Sequence, residues 1–159
     1  MTEKKLEGAG LRGQVAGNTS LSTVGKTGKG LTYRGYPIEV LSDKASFEEV
    51  AYMLLYGYLP NKDEFDTYSD KLKALRVLPN TLLEVLEKIP ASAHPMDVMR
   101  TGCSMLGNLE PEGDFSNQSD SADRILAAMA SIIVYWYRFS HDGVKAVSYT
   151  HLTLPTRLS

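Results

Sequence analysis

The sequence predicts a mainly α-helical domain entered through a short β-hairpin. Between positions 46 and 143, apolar residues recur at helical spacing in segments set off by capping and breaking residues. Ahead of Ser46, two short runs rich in β-branched and aromatic residues flank a glycine-rich turn. The 159 residues are 43% apolar and 23% charged, the balance of an ordinary folded domain.

Residues 1–17 carry Gly8, Gly10, Gly13 and Gly17 and read as a loosely held lead-in. The run at 19–24 and the run Leu31-Thr32-Tyr33-Arg34-Gly35-Tyr36 then form the hairpin, with Gly25-Lys26-Thr27-Gly28-Lys29-Gly30 as its loop. Gly25-Lys26-Thr27 matches the end of a phosphate-binding loop. The full pattern needs a glycine at position 20, where Ser20 stands, so the loop is a solvated lysine-bearing turn.

Ser46 with Glu49 makes a capping box, and Phe47, Val50, Ala51, Leu54 and Leu55 follow at helical spacing until Gly57 ends the helix. Leu59-Pro60 connects to a second capping pair, Asn61 with Glu64. From there Phe65, Tyr68, Leu72 and Leu75 line one face to about Arg76. Pro79 restarts the chain, and Leu82, Leu83, Leu86 and Ile89 make a short helix that stops before Pro90. A helix over residues 95–107 comes next. Pro95 suits its first position, because a missing N–H costs nothing there, and Asp97 meets the positive end of the helix dipole. Residues 110–120 are acidic and turn-rich. They lack the ligand alternation of a calcium loop and read as a solvated connection.

The last helix starts at Ser121 and is the longest. Its stretch 125–137 is apolar nearly all round, yet shorter than the roughly 20 residues a membrane span needs. Such a helix belongs inside a large protein or an interface. The other helices look too few to surround it, so partner surface is expected. Beyond Gly143 the patterning fails. We therefore divide the chain into a folded part, residues 1–145, and a non-native tail, residues 146–159, which resembles a translated sequencing adapter.

Charge and cysteine content exclude several classes. A net charge of −2 gives no general pull toward nucleic acid or acidic membranes. Cys103 is the only cysteine, so no intramolecular disulfide can form, and a reducing compartment, the cytoplasm, is expected. No metal-ligand spacing appears. His94, just ahead of Pro95, reads as a capping or packing residue, and His141 suits the negative end of the last helix. Asp97 and Arg100 stand one turn apart and can pair at the surface. Cys103 reads as a small core residue.

Several stretches carry a resemblance. They are Ala16-Gly17-Asn18-Thr19, Ser22-Thr23-Val24-Gly25-Lys26 and Leu31-x-Tyr33-Arg34-Gly35-Tyr36-x-Ile38, followed by Phe47-Glu48-Glu49-Val50-Ala51 and Leu59-Pro60. Lys71-Leu72-Lys73-Ala74-Leu75-Arg76-x-Leu78-Pro79 comes next, then His94-Pro95-Met96-Asp97-Val98-Met99-Arg100-Thr101-Gly102 and Ser140-His141-x-Gly143. In this order they resemble the citrate synthase family, and within it the bacterial 2-methylcitrate synthase branch, over residues 14–144.

The resemblance implies a citrate-synthase-like, multi-helical large-domain fragment with a short N-terminal β-hairpin. It implies a homodimeric acyltransferase, one that condenses an acyl-CoA with oxaloacetate and needs no cofactor beyond the CoA thioester substrate. The branch implies propionyl-CoA and propionate catabolism, while acetyl-CoA, as in the tricarboxylic acid cycle, is the alternative. The family's catalytic residues, two histidines and an aspartate, are expected beyond Gly143, so no catalytic residue is assigned in this chain. Lys71 is the one substrate-binding candidate, as a cation near the anionic ligand. A reading of another class is a non-catalytic helical module that binds a partner through the face at 125–137.

Overall fold

The computed structural model describes residues 17–24 and 30–145. The phosphate-loop-like Gly25-Lys26-Thr27, most of the glycine-rich lead-in and the proposed tail lie outside the described residues. The described chain divides into two units that meet in sequence at Leu59 and Pro60.

The first unit holds a three-stranded antiparallel sheet, β1 (Ser22–Val24), β2 (Leu31–Tyr33) and β3 (Tyr36–Pro37), in that order. Thr23 faces Thr32 across the β1–β2 pair and their hydroxyls hydrogen-bond. The run at 31–36, expected as one strand, is two strands joined by a two-residue turn. Tyr33 pairs with Tyr36, and the residues between them, Arg34 and Gly35, have φ of 49° and 89°. A two-residue hairpin whose twist matches its strands needs positive φ at both positions, which Gly35 takes freely and Arg34 does not. Arg34 is held there by its guanidinium, which donates to Ser20 Oγ at 2.9 Å and to the Leu54 carbonyl at 3.1 Å.

Two helices complete this unit. The α1 helix (Ile38–Lys44) was not expected from the sequence. It contains β-branched Ile38 and Val40, its N-cap Pro37 offers no side-chain cap, and only Leu41 is buried, so it shows neither propensity nor an apolar stripe. It packs on β2 and β3. The α2 helix (Phe47–Tyr56) has the expected capping box. The Glu49 N–H donates to Ser46 Oγ and the Ser46 N–H donates to Glu49 Oε2. Gly57 closes it in the left-handed conformation.

The second unit is all helical: α3 (Lys62–Ala74), α4 (Asn80–Glu87), α5 (Pro95–Leu109) and α6 (Gln118–Asp142). Asn61 and Glu64 cap α3 reciprocally, as expected. The long helix begins at Gln118, not Ser121. A single 3₁₀ turn at Phe115–Asn117, capped by Asp114, runs straight into it and makes helix of the last polar residues of the presumed loop.

α3, α4 and α5 each pack on α6, and α4 packs on α5. The core between α4, α5 and α6 is Leu82, Leu86, Val98, Leu106, Ala128, Ile132, Tyr135 and Trp136. Burying each large side chain in such a cluster contributes about 1.5–3 kcal/mol relative to leaving it in water. The buried positions of α6 are Asp123, Ala127, Ala128, Ser131, Ile132, Tyr135 and Trp136, one face at helical spacing. Three small residues on that face, Ala127, Ala128 and Ser131, allow close approach of neighbours. Three helices cover this face, while Ile125 and Tyr137 stay exposed and Leu126, Met129, Ile133 and Val134 are half-buried, so the helices of this unit do not surround α6, in line with the sequence.

The tightest crossing lies at the end of the His94–Gly102 motif. A Cβ on Gly102 would sit 2.5 Å from Ile132 Cγ2, closer than real carbon contacts allow. Gly102 is thus required by the distance between α5 and α6. Gly102→Ala is expected to lower stability by about 1–3 kcal/mol through overpacking. Trp136, the only tryptophan and fully inside this unit, reports the unfolding by fluorescence in a urea titration. In an Ile132→Ala background, which removes the opposing methyl, the cost of Gly102→Ala is expected to fall below half that value.

Candidate functional site

The residues with the most pronounced electrostatic arrangement gather where α3 crosses the start of α6. Asp123 is completely buried on the core face of α6. Its two oxygens have separate partners: Tyr68 donates its hydroxyl to Oδ1 at 2.9 Å and Lys71 donates to Oδ2 at 2.7 Å. Lys71 also reaches Asp120 Oδ1 at 2.8 Å. Tyr68 and Lys71 are one turn apart on α3, and Asp120 and Asp123 are one turn apart on α6, so the two helices meet pairwise.

Lys71 is the substrate-binding candidate of the sequence, and the structure places its ammonium between these two carboxylates. Both Asp123 oxygens already accept strong hydrogen bonds, which leaves this carboxylate built to hold helices together. Sequence reasoning missed Asp123. The signal was present, since a lone aspartate sits in register with Ala127, Ala128 and Ile132 on an otherwise apolar face.

A second group lies next to the first. Arg124 grips Glu110 with two guanidinium nitrogens, at 2.7 and 2.8 Å, and also donates to the Leu75 carbonyl. One arginine thereby ties α6 to the end of α5 and to the C-cap of α3. The Arg124 hydrogen bonds hold the Glu110 carboxyl below its ordinary value of 4.5. At the other end of α6, Tyr135 donates to Glu87 at 2.7 Å, Trp136 donates its indole N–H to the Ile89 carbonyl at 3.2 Å, and Lys145 pairs with Glu87 at 2.8 Å. Lys145 and Tyr135 likewise hold Glu87 below 4.5.

The histidines occupy helix ends. His94 is the N-cap of α5, and its Nδ1 accepts from the Met96 N–H at 3.2 Å. His141, in the last turn of α6, stacks on Tyr137 with ring centroids 4.2 Å apart. Both placements agree with the capping and helix-end positions read from the sequence. Asp97 pairs with Arg100 at 3.1 Å, and Cys103 is half-buried on α5. Among the described residues, no cluster of His, Cys, Asp and Glu could hold a metal ion, and no helix is long and apolar enough to cross a membrane.

Comparison with known proteins adds to this geometry. Residues 10–156 match the family model described as citrate synthase, C-terminal domain, a match that runs past residue 145 into the stretch set apart as a tail. The chain is 68% identical over 142 residues to the 2-methylcitrate synthase of Shewanella oneidensis, covering 89% of this chain and 38% of that protein. It is 39% identical over 125 residues to the 2-methylcitrate synthase of Mycobacterium tuberculosis, covering 78% of this chain and 32% of that protein. Its fold superposes on the crystal structure of citrate synthase from Thermotoga maritima with a TM-score of 0.73 at 32% identity, over 84% of this chain and 35% of that one. The chain thus spans between about a third and two-fifths of the length of these relatives.

Two outcomes are expected from the charge pairs. Lys71→Met leaves the buried Asp123 without its cation and should destabilise the helical unit by about 3 kcal/mol, the low end for breaking a buried pair. Lys73→Met, which removes only a surface contact to Asp70, should cost no more than about 0.5 kcal/mol. Paired urea titrations of the two variants, followed by Trp136 fluorescence, make the comparison. The second outcome concerns acid. A carboxylate whose folded value is depressed contributes stability above its ordinary value, and the contribution is lost as pH falls through the folded value. The Glu110 clamp should therefore be intact above pH 4.5 and open progressively below it. The Glu110 side-chain carboxyl, followed by ¹³C NMR, should titrate below 4.5, and Arg124→Met should return it toward that value.

Proposed function

Because the chain belongs to the citrate synthase family, we propose that it forms part of an enzyme condensing propionyl-CoA with oxaloacetate to 2-methylcitrate and free CoA. The observation that carries this reading is the 68% identity with a protein named 2-methylcitrate synthase. Citrate synthase acting on acetyl-CoA is the second reading, favoured by the name of the Thermotoga structure, at the lower identity of 32%.

The chemistry has three steps. A base removes a proton from the α-carbon of the thioester, and the resulting enolate attacks the ketone carbon of oxaloacetate. Water then cleaves the new thioester and CoA leaves. Proton transfers and stabilisation of the enolate oxygen suffice for this sequence, so we assign no resident cofactor; the CoA thioester is consumed as substrate. Within this chain the described histidines, His94 and His141, hold helix ends, and Asp123 is spent on Lys71 and Tyr68. We therefore give residues 17–145 a scaffold role and place the proton-transferring groups in other parts of the enzyme. Lys71 remains a candidate for approach by an anionic substrate only if a ligand oxygen joins or replaces Asp120 at its ammonium.

The same reading makes the enzyme a cytoplasmic homodimer serving propionate breakdown. Exposed apolar side chains on α5 and α6, Met96, Ile125 and Tyr137, offer a second copy something to bury. The interaction-module reading needs the face at 125–137 to be open, and Ala127, Ala128, Ser131, Ile132, Tyr135 and Trp136 of that stretch are buried within this unit.

The test uses the natural full-length enzyme, with CoA release measured in the presence of oxaloacetate. Propionyl-CoA is expected to give the higher kcat/KM, by about tenfold or more, since one methylene in an apolar pocket is worth about 10–200-fold. A preference for acetyl-CoA would make the enzyme a citrate synthase, and release with neither thioester would favour the module. The 159-residue chain alone should release no CoA above background.

A further inference from the structure

We draw no further inference here: the strongest candidate, the exposed apolar side chains of Phe47 and Leu55 on α2, is a surface patch and nothing in the structure shows what covers it.

Discussion

A buried carboxylate constrains the helical unit. Asp123 sits on the core face of α6 with no access to water, and an uncompensated charge there would cost several kcal/mol. The fold is possible only if donors are delivered to both of its oxygens. Tyr68 and Lys71 deliver them from adjacent turns of α3, which fixes the rotation and height of α3 against α6. The other neighbours are fixed farther along the same helix. Gly102 lets α5 approach to contact at Ile132, and Tyr135 and Trp136 reach Glu87 and the Ile89 carbonyl around the end of α4. A single long helix is thus read at three levels by three neighbours, with a different chemistry at each: a charge pair, a missing side chain, and hydrogen bonds from aromatic rings.

One stretch that carries the family resemblance is built largely from capping and packing residues. The stretch from His94 to Gly102 begins with a histidine whose ring nitrogen caps a helix and ends with a glycine whose missing side chain admits Ile132. Between them Asp97 and Arg100 pair on the surface and Val98 is core. Each of these five positions has a structural reason. These residues fix the geometry of a scaffold.

Much of the helical unit was legible in the sequence because its signals are local. Capping boxes, a proline at a first helical position and glycines at helix ends each act over three or four residues, and the corresponding ends fall at or near the predicted positions. The misses share a cause. α1 is only seven residues long, has no side-chain N-cap and packs on β2 and β3, so the favourable charges Glu39 and Lys44 at its ends announce it weakly. The turn at Arg34 depends on a guanidinium held by Ser20 and Leu54, contacts that local pattern cannot show. Asp123 and Lys71 are far apart in sequence; the register of Asp123 with Ala127, Ala128 and Ile132 signals its burial, but nothing local names its partner. What they do is visible only once α3 lies across α6.

Whether the buried Asp123 and its partner lysine act as one unit is measured by a double-mutant cycle. Lys71→Met, Asp123→Leu and the double variant would be unfolded in urea and followed by Trp136 fluorescence. Lys71→Met removes the cation beside the buried carboxylate, Asp123→Leu removes the acceptor of Tyr68 and one of the two carboxylates at Lys71, and the double variant replaces the pair by apolar groups of similar volume. The loss in the double variant is expected to fall short of the sum of the single losses by about 2 kcal/mol or more. Losses that add to within about 0.5 kcal/mol would contradict the account, because the two residues would then be contributing independently.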